Sequence, residues 1–169
     1  MSSMRVLELQ RRPRLLLVVG TVLLVMATAM AWWRSSTPEP LPLSETVVNA
    51  STKVGRPVYV GVFTAGPDFR RTLRISRVTI RTTGSDVGVT ALLCRGGSIG
   101  VTQDPQPFCA QLVDPEGQDL RAGDGIVLQV VSDQPAVATI QRVRVAFREH
   151  FRSGTEPAGS SAVVRVLPG

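Results

Sequence analysis

Histidine, lysine, tyrosine and cysteine are scarce in this chain, and each shortage removes a class of chemistry. The single histidine is His150, and one imidazole cannot complete a zinc or blue-copper ligand set without other strong ligands. Two cysteines, Cys94 and Cys109, set a ceiling of one disulfide, and they lack the C-x-x-C spacing of a redox pair. Both tryptophans, Trp32 and Trp33, precede Ser35. The remainder therefore has no tryptophan to pack against an inter-sheet disulfide as in antibody domains. Beyond Ser35 no window carries a sustained 3.6-residue apolar stripe with caps, which argues against helices there. Lys53 is the only lysine among 19 basic residues, an arginine skew that resembles the codon bias of a high-GC bacterial genome.

Charge is missing altogether from Leu15 to Trp33, reading LLLVVGTVLLVMATAMAWW. That run approaches the ~20 residues needed to cross ~30 Å of hydrocarbon. Arg5, Arg11, Arg12 and Arg14 precede it and Arg34 alone follows, so the orientation rule keeps the N-terminus cytoplasmic. Trp32 and Trp33 stand where an aromatic belt meets the outer interface. The alternative is a cleaved secretory signal, with small-x-small sites at Ala27-Thr28-Ala29 and Ala29-Met30-Ala31. The uncharged run exceeds the ~7–15 residues of a signal core, which favours an uncleaved anchor. Under either reading the rest of the chain lies outside the cytoplasm. The expected organisation is a basic leader (1–14), a transmembrane signal anchor (15–33), a proline-rich spacer (34–43) and an extracytoplasmic domain (44–169).

The formal charge of +6 invites a nucleic-acid reading, but its location counts against one. Residues 1–34 hold five arginines against one glutamate, while the rest carries 14 basic against 12 acidic residues. Most of the excess flanks the apolar run, where it sets orientation. No nucleic-acid partner is expected. The spacer Ser35-Ser36-Thr37-Pro38-Glu39-Pro40-Leu41-Pro42 favours extended polyproline II and reads as a short stand-off.

From Ser44 the pattern is strands and turns. Val58–Phe63 reads as a strand ending at the turn cluster Ala65-Gly66-Pro67-Asp68. Phe69–Thr83 follows, with Leu73 and Ile75 on one parity and Val78 and Ile80 on the other. That slip near Ser76-Arg77 predicts a bulge or a crossing between sheets. Val87–Cys94 and Phe108–Val113 come next, then a type I turn at Asp114-Pro115-Glu116-Gly117. Ile126, Leu128 and Val130 alternate inward. Ala136–Phe151 reads as one long strand, Arg152–Gly159 as a loop and Ser161–Leu167 as a last strand. About eight strands at this spacing predict an all-β, two-sheet antiparallel sandwich, immunoglobulin-like or jelly-roll-like.

Cys94 and Cys109 enclose a Gly- and Pro-rich stretch and are expected to form a disulfide outside the cytoplasm. Gly96-Gly97-Ser98-Ile99-Gly100 matches the G-x-S-x-G nucleophile elbow, with His150 and Asp124 or Asp133 following in triad order. The elbow needs a helix after its serine, and Asp104-Pro105-Gln106-Pro107 forbids one, so a serine hydrolase using Ser98 and His150 is only the alternative reading. Asp114, Glu116, Asp119 and Asp124 cluster within two turns and could offer oxygens to calcium, but EF-hand spacing is absent and acidic residues also favour turns. No cofactor is expected. Arginines alternate along two strands, and Arg74, Arg77, Arg81, Arg142, Arg144 and Arg148 are the candidate surface for an envelope protein or acidic polymer. The competing reading of this row is an ordinary exposed strand kept soluble by alternating charge.

The anchor, the two-cysteine loop and the turn Leu120-Arg121-Ala122-Gly123-Asp124 together resemble small single-pass proteins of high-GC Gram-positive bacteria that display one extracytoplasmic β-sandwich. That resemblance implies a fold and a location and carries no functional residue with it. The function expected is a non-enzymatic, membrane-tethered interaction module.

Overall fold

The computed structural model describes residues 12–36, 38–84 and 87–169. The chain divides into two compact units between Thr37 and Pro38. The first contains helix α1 (Arg12–Ser36). Every described side chain from Leu17 to Met30 is exposed, on all sides of the helix. Thr21 and Thr28 turn their hydroxyls back to donate to the carbonyls of Leu17 and Leu24. Among the described residues no helix is long and apolar enough to cross a membrane. The side chains of Leu15, Leu16, Ala31 and Trp33 lie outside the description, so the expected span is not established, and the basic leader up to Arg11 lies outside the described residues.

The second unit is a two-sheet sandwich. In chain order its strands are β1 (Leu43–Lys53), β2 (Val58–Thr64), β3 (Leu73–Thr79), β4 (Thr82–Gly84), β5 (Gly88–Arg95) and β6 (Val101–Thr102). Then come β7 (Gln111–Val113), β8 (Asp119–Leu120), β9 (Gly125–Val131), β10 (Ala136–Ile140), β11 (Val143–Glu149) and β12 (Arg152–Leu167). The larger sheet runs β4-β10-β12-β11-β3-β8, with β1 added beside β12, and the smaller runs β6-β2-β9-β5-β7. Every pairing is antiparallel except that of β1 with β12. Period-2 alternation sends Leu73, Ile75, Val143, Val145 and Phe147 inward from one sheet to meet Val58, Val60, Ile126 and Leu128 from the other.

One local reading is resolved and two change. The slip at Ser76 is a bulge, because Ala146 pairs Arg77 while Phe147 pairs Ile75, leaving Ser76 unmatched. The long strand expected over Ala136–Phe151 is two strands. Ala136, Ala138 and Ile140 face the core on even numbers and Val143, Val145 and Phe147 on odd ones, so the chain breaks at Gln141-Arg142, where Gln141 N–H donates to the Arg81 carbonyl. The loop expected over Arg152–Gly159 is instead the first half of β12, which forms a hairpin with β11 through the two-residue turn His150-Phe151.

Glycine 159 explains how one strand serves both halves of that sheet. Residues of β12 up to Ala158 pair with β11; β1 pairs with Gly159 and from Ser161 onward, and β10 pairs from Ala162 onward. Gly159 sits at the change with φ +65, and a Cβ there would fall on the Val62 carbonyl oxygen of β2. Only glycine lets the strand bend and touch the opposite sheet at that corner.

The proline-rich spacer is not a free stand-off from Pro38 onward. Leu41 is 3% exposed and belongs to the core, and the Pro42 carbonyl accepts from Gly159 N–H. The Pro38 ring lies against the Cα of Gly154, where any side chain would collide with it. Long-range contacts, which composition does not carry, decide the docking. The type I turn read at Asp114–Gly117 is shifted by one: Gln118 N–H donates to Pro115 O, and Gly117 takes φ +73 at the third position, as a type II turn requires.

Candidate interaction face

Four of the six candidate arginines gather on the outer face of β3 and β11. Register places Arg144 opposite Thr79, Ala146 opposite Arg77, and Arg148 opposite Arg74. Arg74 reaches Asp119 at 3.7 Å and Arg77 reaches Glu116 at 3.9 Å. Arg144 and Arg148 have no acidic partner within pairing distance among the described residues. The other two candidates stand apart. Arg81 lies between β3 and β4, and its carbonyl accepts from Gln141. Arg142 is committed to structure: its guanidinium donates to the Ser44 carbonyl at 2.9 Å and pairs Glu45 at 3.1 Å.

A different arginine was missed by the sequence. Arg71 follows the turn after β2 and looks like one more member of the exposed row, yet its side chain is 14% exposed. It donates twice to the Glu149 carboxylate, at 3.0 and 2.7 Å, and once to the Pro40 carbonyl at 3.4 Å. Its guanidinium carbon lies 5.7 Å from the Phe147 ring centroid and 6.0 Å from that of Phe69. The hydrogen bond from Arg71 holds the Glu149 carboxyl below the ordinary glutamate range against the opposing push of burial. The charges of Arg71, His150 and Arg152 act in the same direction as the hydrogen bond. Beside this pair an open cleft of about 450 Å³ is lined by Glu39, Pro40, Thr64, Asp68, Phe69 and Arg70. Nothing in the spacing of Arg71 and Glu149, 78 residues apart, announces the pair.

The disulfide joins Cys94 at the end of β5 to Cys109, a separation of 15 residues. The enclosed loop folds back over the outer face of the smaller sheet. Ile99, Cys94 and Cys109 cover Val127 there and make a second small core. Gly61 N–H donates to the Gly100 carbonyl, and β6 pairs with β2. Ser98 is exposed in this loop and strand β6 follows it where the elbow needs a helix. His150 sits at the tip of the β11–β12 hairpin in the other sheet. Asp124 is 6% exposed and fully used, accepting from Gly96 N–H, Arg121 N–H and the Arg95 guanidinium.

The remaining acidic candidates are likewise spoken for and point apart. Asp114 caps Glu116 N–H, Glu116 faces Arg77, and Asp119 pairs with Arg121 at 2.9 Å. Among the described residues no three His, Cys, Asp or Glu side chains are placed to hold a metal ion. No protein-family model, curated protein or solved structure matches this chain.

Proposed function

We propose that this protein is a membrane-tethered, non-enzymatic binding module, with α1 spanning the bilayer, its N-terminus cytoplasmic, and the sandwich displayed outside. The span is supported by an uncharged 19-residue run and by a helix that is apolar around its whole circumference, a pattern suited to lipid rather than to water. Its threonine hydroxyls are already satisfied within the helix, as hydrocarbon demands. Outside, the arginine face takes an acidic partner, an envelope protein or polymer.

One observation carries the binding face. Arg148 stands directly opposite Arg74, and like charges directly opposite on a sheet are destabilising. Arg74 is paired with Asp119, but Arg148 has no acidic neighbour of its own among the described residues, and neither has Arg144 opposite Thr79. A partner that brings negative charge to this face would offset that cost. The test is retention of envelope fractions on the immobilised full chain, comparing wild type with Arg144→Glu/Arg148→Glu. Wild type should retain an acidic component that 0.5 M salt releases, and the double variant should lose it about tenfold, the scale of two charge-assisted contacts at a partly screened surface. Equal retention by both proteins overturns the reading.

A further inference from the structure

The tip of the β11–β12 hairpin contains two features that the fold does not need. His150 takes φ +54, in the left-handed region that only a few per cent of non-glycine residues adopt, histidine among the commoner ones. Two-residue hairpin turns ordinarily use Asn-Gly or Gly-x at such a position. Its neighbour Phe151 is 105% exposed, so the ring touches nothing in the protein. Among the described residues no other large apolar side chain is as bare. Arg152 completes the turn, and Arg148 lies one ladder step back on the outer face.

The tip lies near the point where the sandwich begins. Pro38 is docked on Gly154, three residues from Phe151 along an extended strand, about 10 Å. In sequence only residues 34–37 stand between the uncharged run and Pro38.

We propose that Phe151 inserts into the outer leaflet of the bilayer that α1 crosses, with Arg152 at the lipid phosphates, as a second contact between domain and membrane. An aromatic ring beside an arginine suits that interface, where one side is apolar and the other carries phosphate. This inference rests on the reading of α1 as a span, and its test separates the two.

The full chain carrying Phe151→Cys offers one free thiol, since Cys94 and Cys109 are bonded to each other. It is labelled with an environment-sensitive nitrobenzoxadiazole fluorophore and reconstituted into vesicles of phosphatidylcholine with one-third phosphatidylglycerol. Lys53→Cys, exposed at the end of β1, is the control. The label at position 151 should be quenched at least threefold more by lipids spin-labelled near the headgroup than the label at position 53, and be shielded from aqueous iodide. Adding Arg152→Glu should weaken that shielding. A chain that floats with alkali-washed vesicles but shows equal iodide quenching at both positions overturns the tip contact alone. A chain that alkali strips from the vesicles overturns the span and the tip contact together.

Discussion

Replacing Arg71 by methionine should cost far more than replacing an exposed, unpaired arginine such as Arg144. The side chain is 14% exposed and its partner Glu149 18%, so the pair lies between a surface bridge and a buried one. Surface pairs contribute about 0–1 kcal/mol and breaking a buried pair costs about 3–5 kcal/mol. Methionine preserves most of the packing on Phe69 and Phe147 but strips the carboxylate of both guanidinium bonds, each bond to a charged group being worth ~1.5–3 kcal/mol. A loss of ~2–3 kcal/mol follows, measured by denaturant unfolding at pH 7. The pH dependence is the sharper test. Glu149 titrates below its ordinary range in the folded protein, so its contribution is complete above the unfolded value near 4.5 and fades as pH falls through the lower folded value. Glu149→Gln should therefore be less stable than wild type at pH 7, and the two stability curves should converge as the solution is acidified below about pH 4.5. Parallel curves across that window would refute the assignment of the pair as a stabilising charged contact. An Arg71→Met cost no larger than that of Arg144→Met would do the same for its depth.

Two further perturbations probe other parts of the architecture. Converting both Cys94 and Cys109 to alanine opens a loop of 15 residues and should cost ~3 kcal/mol, a fall of ~10 °C in Tm, with the protein still folded by circular dichroism. Gly159→Ala forces a Cβ onto the Val62 carbonyl at a left-handed backbone position and should cost more than about 3 kcal/mol, whereas Gly55→Ala, with open space around it, should cost about 1 kcal/mol in thermal unfolding.

Much of the sandwich is legible because burial on a sheet has period 2. Leu73 and Ile75 against Val78, and Val143 through Phe147, state their inward faces in the sequence, and the slip between the first two sets locates the bulge at Ser76. The same rule read over Ala136–Phe151 would have found the change of parity between Ile140 and Val143, which is the break at Gln141-Arg142. Arg152–Gly159 was harder. Its glycines, proline and serine carry the composition of a loop, and only pairing with β11 makes them strand. The candidate arginines were legible as alternation, which cannot distinguish Arg144, exposed without an acidic partner, from Arg142, held by Ser44 and Glu45, or from Arg71, buried against two rings. Those differences arise largely from residues remote in sequence, Phe147 and Glu149 for Arg71 and Ser44 and Glu45 for Arg142.

The spacer shows why composition misleads about tethers. Alternating proline sets an extended backbone, and an extended backbone with free carbonyls is suited to lie along another surface. Here the carbonyls of Pro40 and Pro42 accept from Arg71 and Gly159, and Leu41 fills a core position between them. Of the eight residues read as a stand-off, Pro38 to Pro42 thereby belong to the sandwich. For the proposed tether this has a mechanical consequence. A free arm gains reach with the square root of its length, and five docked residues add nothing to that length. Arg71→Met, which removes the bond to the Pro40 carbonyl, should therefore loosen this segment as well as destabilise the fold, read as faster amide exchange over residues 38–42.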